Sequence, residues 1–381
     1  MRFDETRKLL ESNGMSTVTL RDEMGKGCLL IAPDLSARIM AVSMDGEKGE
    51  NFGFVEKKSV ANKGKNPQFN PYGGALRWWP GPEGGQFGLA FPPGTKDYTL
   101  DSWYISEDYN GRCFEVAYPQ SGEGASALMG SEFSIENASG TRFHVGVESR
   151  ISLLDDPLQK NGNTRTRKKH KASNDHFGYL VETTFENLSN EPMRKETGLI
   201  SIWMLGMYEA GPKAFVIAPF ERKGTGSIVT DTYFSPDGIF ADRLIVKERA
   251  GYLLFCADAK ERSKIGLSRS RAADTIGSID VSRRLLTLWK FPVRRRKPYV
   301  NSLWEHQTRP YAGDVTNSYN DGGSFGNFYE LECSSHALAL KPRERFCFPL
   351  EIHHYRKPRA ELRELAKKLF NRRIDWKNID I

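Results

Sequence analysis

Apolar positions in this chain come in short bursts rather than long periodic runs. Thr17–Leu20, Cys28–Ala32, Ile39–Met44, Arg142–Leu153, Tyr179–Asn187, Leu199–Met207, Phe215–Ala218, Tyr252–Ala257, Leu285–Phe291 and Phe348–Tyr355 are strand-length, rich in apolar or β-branched residues, and punctuated by Gly, Pro, Asp or Asn. Strands recurring with turn signals and no long helices between them predict an all-β antiparallel sandwich. Only the ends read as helical. Asp4 can cap a helix over Asp4–Ser12 that Asn13-Gly14 would stop. Leu362, Leu365 and Leu369 form one stripe among Glu, Lys and Arg, which predicts an amphipathic helix over Arg359–Arg372. No repeat and no Pro/Ser-rich linker divides the chain. The expected organisation is therefore one domain over residues 1–381, with a helix in 1–14, a basic loop insertion at 157–175 and a helix in 357–381.

Composition adds exclusions. Of 381 residues, 39% are hydrophobic and 27% charged, which fits a folded globular chain. No apolar run approaches the roughly 20 residues of a membrane span, so no membrane association is expected. The start, MRFDETRKLLESNG, carries charge where a secretory leader needs an apolar stretch, and the expectation is a cytoplasmic location, or a periplasmic or secreted one if a leader was removed. Five scattered cysteines without a CxxC fit a reduced compartment. The net charge is +7, but Lys160, Arg165, Arg167, Lys168, Lys169 and Lys171 sit in one acid-free tract with no apolar face. Neither this tract nor Arg294–Lys297 is interleaved with aromatics, so a nucleic-acid partner is not expected. No HExxH, P-loop, GxGxxG or GxSxG is present, and no metal or cofactor is expected.

Candidate chemistry gathers in two segments. Asn66–Gly94 is rich in Gly and Pro and carries Arg77, Trp78, Trp79, Glu83 and Gln86. Ordering such irregular backbone is costly unless it builds something. Indole faces with directional Arg, Glu and Gln suit a sugar, whose ring has an apolar C–H face and an array of hydroxyls. The structural alternative is an aromatic plug in which Arg77 pairs with Glu83. The second segment, Tyr299–Ser335, holds Trp304, His306, Arg309, Asp314, Asn317, Asn320 and Asp321 ahead of a strand over Phe328–Cys333. On that strand Glu330 and Glu332 are two residues apart and share a face, with Leu331 opposite. Neighbouring carboxylates raise each other's proton affinity, which can poise one as a base. His306 is the histidine best placed to donate a proton. The alternative is a solvent-facing strand with salt bridges.

Three stretches in order resemble the galactose mutarotase-like superfamily, the aldose 1-epimerase type of β-supersandwich. They are LLIAPDLSARIMAVSMDGEKGENFGF, YGGALRWWPGPEGG and FYELECSSHALALKPRERFCFPLEIHHY, with VETTFENLSNEPMRKETGLISIW resembling the middle of that fold. WEHQ, GDVTNSYNDG and YELE look most like a bacterial branch of unknown function. The resemblance implies an antiparallel β-supersandwich and a carbohydrate ligand. In those epimerases a glutamate takes the anomeric hydroxyl proton while a histidine protonates the ring oxygen. Glu332 resembles the glutamate, with Glu330 the alternate, and Arg77 resembles the sugar-binding arginine. The histidine does not carry over: after Gly198-Leu199 stand Ile200, Ser201 and Ile202, so His306 or His144 would have to supply the acid. The resemblance thus implies an epimerase-like enzyme, a noncatalytic sugar-binding or sensing protein, or a lyase-like reaction in which Arg309, Asn317 and Asn320 neutralise charge.

Overall fold

A computed structural model describes residues 1–117, 126–158 and 175–379. The basic tract Lys160–Lys171 lies outside the described residues. Three antiparallel sheets carry the fold. The largest has ten strands, ordered Leu244–Lys247, Tyr252–Cys256, Ala214–Pro219, Thr275–Asp280, Leu285–Lys290, Arg345–Arg356, His176–Asn187, Arg142–Leu154, Ser126–Glu136 and Glu115–Ala117. A five-stranded sheet runs Ser263–Ser268, Asp314–Asn320, Phe328–Ser334, Ser201–Glu209 and Arg77–Gly81. Val18–Arg21, Cys28–Ala32 and Arg38–Ser43 form the third. This is an all-β antiparallel sandwich, as the burst pattern predicts.

The two large sheets pack face to face, and strand alternation decides which side chains meet. From the five-stranded sheet, Trp78 reaches Phe133 and Phe185, Tyr208 accepts a hydrogen bond from Trp289 Nε1 at 3.0 Å, and Tyr329 donates to Ser278 at 2.8 Å. Leu331 and Cys333 are buried on this side too. The alternate residues face away from the core. That outer face is where the polar groups stand.

The terminal helices form at Phe3–Ser12 and Arg359–Phe370. The latter buries Leu362, Ala366 and Phe370 against Tyr252, Leu286 and Tyr355 on the far side of the ten-stranded sheet. No described helix is long and apolar enough to cross a membrane. Two segments differ from the sequence expectation. Arg77–Gly81, inside the supposedly irregular Asn66–Gly94, is a strand at the edge of its sheet, where Pro80 costs no ladder bond that an inner strand would need. Asp314–Asn320, expected as polar lead-in, pairs in full register with Phe328–Ser334.

Candidate active site

Register places the outward residues in rows. Asn317 stands opposite Glu332, Glu332 opposite Leu205, and Leu205 opposite Arg77. In the next row Lys264 faces Tyr319, Tyr319 faces Glu330, and Glu330 faces Met207. Loops from Phe69–Trp103, Tyr233–Phe234 and Val300–Trp304 rise around this face and leave a cleft of about 390 Å³. Its walls are aromatic: Trp103 and Trp304 stack with centroids 5.8 Å apart, and Trp79 meets Trp203 edge-on at 5.8 Å.

The floor holds two buried ion pairs. Arg77 Nη2 donates to Glu330 Oε1 at 2.8 Å, and the guanidinium lies 4.4 Å from the Trp79 ring centroid. Arg77 therefore pairs with Glu330, not with Glu83. Lys264 Nζ donates to Glu332 Oε2 at 3.0 Å, and Trp203 Nε1 donates to the same oxygen at 3.0 Å. Glu332 is fully buried beneath Lys264, which is itself part of the cleft wall. Burial pushes the Glu332 carboxyl up to about 7; Lys264 pulls it down and Glu330 pushes it further up. Burial disfavours the Lys264 ammonium, but Glu332 and Glu83 outweigh that and hold its pKa above the ordinary value.

Glu83 accepts from Trp103 Nε1 at 3.0 Å, and burial raises its pKa, with Glu330 adding to the rise and Lys264 opposing it. Across the cleft, Tyr233 Oη donates to Asp314 Oδ2 at 2.6 Å and accepts from Asn317 Nδ2 at 2.8 Å. Burial raises Asp314, and burial together with Asp314 raises Tyr233. The loop carrying Tyr233 is stitched to the sheet by paired backbone hydrogen bonds between Thr230 and Gly266. Gly266 must lack a side chain: a Cβ there would collide with Asp314 Oδ2 and stand 2.6 Å from both Asn317 Nδ2 and Tyr233 Oη. Four polar atoms of the floor, Arg77 Nε and Nη1, Trp79 Nε1 and Glu332 Oε1, are buried without a hydrogen-bond partner. Such concentration of unmet polar atoms is unusual in a core and natural where a ligand completes the network.

Of the residues singled out from sequence, Arg77, Trp79, Glu83, Trp304, Asp314, Asn317 and Glu330 line the cleft, with Glu332 directly beneath. The others stand elsewhere. Trp78 points into the core, where its Nε1 donates to the Ser36 carbonyl, because one residue along a strand reverses the face. Gln86 exchanges hydrogen bonds with the Gln307 backbone. Asn320 bonds the Glu261 carbonyl and Ala259 N–H, and Asp321 holds Tyr319 and the 325–326 backbone. His306 and Arg309 are exposed on their loop and do not line the cleft. His144 is exposed on the ten-stranded sheet. No described histidine lines the cleft. No cluster of three or more metal-ligating side chains occurs among the described residues.

Sequence reading missed Lys264, Tyr233, Trp103 and Trp203. Lys264 alternates with Ile265 and Leu267 as any solvent-facing lysine would, and Trp203 lies in a run apolar on both faces.

A family profile described as "Family of unknown function (DUF6786)" matches residues 1–379. No protein of curated function matches the chain. Among solved structures, a candidate aldose 1-epimerase from Escherichia coli K12 is 11% identical with a TM-score of 0.51, covering 90% of this chain and 100% of that one. The Slr1438 protein of Synechocystis sp. PCC 6803 is 11% identical with a TM-score of 0.52, covering 90% and 96%. A galactose mutarotase-like protein from Lactobacillus casei ATCC 334 is 10% identical with a TM-score of 0.50, covering 89% and 100%. At this identity the likeness establishes the fold, a mutarotase-like β-sandwich.

Proposed function

The chain belongs to the family of unknown function DUF6786, and from its own cleft we propose that it binds a carbohydrate and acts on the hemiacetal by carboxylate acid–base chemistry. The observation that carries this reading is the set of three carboxylates, Glu83, Glu330 and Glu332, held around two cations, Arg77 and Lys264, beneath aromatic walls. Aromatic faces with a few convergent polar groups are what a sugar needs.

The reaction is a ring opening and reclosure. Glu330, paired with Arg77, takes the proton of the anomeric hydroxyl. Glu83, whose burial favours the protonated form, gives a proton to the ring oxygen in the place an epimerase histidine would fill. The C1–O5 bond breaks, the aldehyde turns about C1–C2, and both protons return as the ring recloses on the other face. Arg77 and Lys264 hold the negative charge that moves between the carboxylates.

The test is anomer exchange by NMR on a panel of aldoses, beside thermal shift for binding. Wild-type protein should speed exchange, while Glu330→Gln and Glu83→Gln should abolish the acceleration and keep the thermal shift. The absence of a cleft-lining histidine among the described residues favours a second reading, a noncatalytic sugar receptor. Binding without exchange selects it. No shift with any sugar refutes both.

A further inference from the structure

Resting on the sugar-binding reading above, we infer that the ligand is an anionic sugar, whose carboxylate or phosphate is taken by Arg262 at the cleft mouth. The cleft has three cations in its wall. Arg77 is paired with Glu330 and Lys264 with Glu332, so two of them already face protein carboxylates. Arg262 makes no ion pair among the described residues.

Arg262 is nevertheless held in place. Its guanidinium carbon lies 4.1 Å from the Phe234 ring centroid and 5.9 Å from that of Tyr319. Its Nε donates to Tyr319 Oη at 3.2 Å. Tyr319 in turn donates to Asp321 Oδ1 at 2.7 Å, and Asp321 Oδ2 accepts two backbone N–H groups of the 325–326 loop. Asp321 is thereby engaged elsewhere and is not the counter-ion of Arg262. What is left is a stacked, oriented guanidinium whose two terminal nitrogens have no hydrogen-bond partner among the described residues.

The aromatic plane and the tyrosine pre-orient the planar fork, which removes the entropy of ordering it on binding an anion. The terminal nitrogens match the bidentate geometry of a carboxylate or phosphate. Phe234, 45% exposed, belongs to the same loop as Tyr233, so the anion-binding end and the Tyr233–Asp314–Asn317 cluster are built by one segment. The ring would lie toward the tryptophans and its charged substituent at Arg262.

Calorimetric titration of wild type, Arg262→Ala and Arg262→Gln with glucose, galactose, glucuronate, galacturonate and glucose 6-phosphate tests this. In wild type the anionic sugars should bind about 10- to 100-fold more tightly than their neutral counterparts, the worth of a charge-assisted hydrogen-bond pair. Both variants should erase that preference, weakening the anionic sugars about 10- to 100-fold more than the neutral ones. Added salt should weaken the anionic ligands selectively. Preference for uronates or for the phosphate tells which anion is the native one. Equal affinity for charged and neutral sugars, or an equal loss for both in the variants, overturns the inference and leaves sugar binding standing. Failure of every sugar overturns both. Arg262 is exposed, and unchanged melting of either variant certifies its fold.

Discussion

Lys264→Met is the sharpest test of how the cleft floor is held. The substitution removes the partner of Glu332, whose side chain is fully buried, and leaves only the Trp203 N–H on that carboxylate. Removing one member of a buried ion pair leaves the other charge desolvated and drives it to take up a proton, so the loss relative to wild type grows by at most about 1.4 kcal/mol per pH unit above 7. The cost must depend on pH. In the wild type burial already lifts Glu332 from 4.5 to about 7, and Lys264 is the main group pulling it down, so without Lys264 it rises further. A folded pKa above the unfolded one means that the folded protein holds a proton the unfolded chain has released. The variant should therefore be close to wild type at pH 4.5 and lose stability as pH rises through 7 and beyond. Urea unfolding followed by tryptophan fluorescence, at pH 5 and pH 8, reads this directly. Adding Glu332→Gln should restore most of the loss at pH 8, since both charges are then gone. A loss below about 1 kcal/mol at pH 8, an equal loss at both pH values, or no rescue by the second substitution refutes the buried-pair account.

Gly266→Ala should destabilise by about 1–3 kcal/mol, the usual cost of overpacking, and weaken ligand binding by displacing Tyr233, Asp314 and Asn317; a variant as stable as wild type, with unchanged binding, counts against that cluster. Acid should destabilise the protein through His176 and His354, which burial holds down at about 4 and about 3. Both are neutral when folded and protonate near 6.5 when unfolded, so stability is full above 6.5 and declines as pH falls toward those values; His176→Gln should flatten the decline by up to about 1.4 kcal/mol per pH unit in urea titrations, and an unaltered slope argues against it. Deleting residues 159–171 joins two strands already paired from Val145↔Asn187 to Leu154↔Gly178, so the variant should melt cooperatively within about 1 kcal/mol of wild type; aggregation or a broad calorimetric transition shows that the tract contributes to the fold. Four of the seven tryptophans line the cleft, so a bound sugar should also change the intrinsic fluorescence, and saturation without any spectral change places binding elsewhere.

Much of the architecture is written locally. Short apolar bursts and turn residues determine a β-protein, the leucine stripe determines the last helix, and a period of two determines that Glu330 and Glu332 share a face while Leu331 opposes them. The same period separates Trp78 from Trp79, but nothing in RWWPG says which of the two is core; the packing of Trp78 on Phe133 and Phe185 decides it. Arg77 and Glu330 are 253 positions apart and meet only because Ser201–Glu209 lies between their strands. Lys264 becomes the partner of Glu332 through the pairing of Ser263–Ser268 with Asp314–Asn320, a contact that no property of an isolated lysine announces. His306 shows the converse: its neighbours in sequence reach the cleft, yet its loop turns it to solvent. Alternation and turn chemistry are properties of a few consecutive residues, so sequence alone determines them. Which face is buried, and which charges meet, depends on sheet register and loop closure over hundreds of residues, and only the tertiary structure decides that.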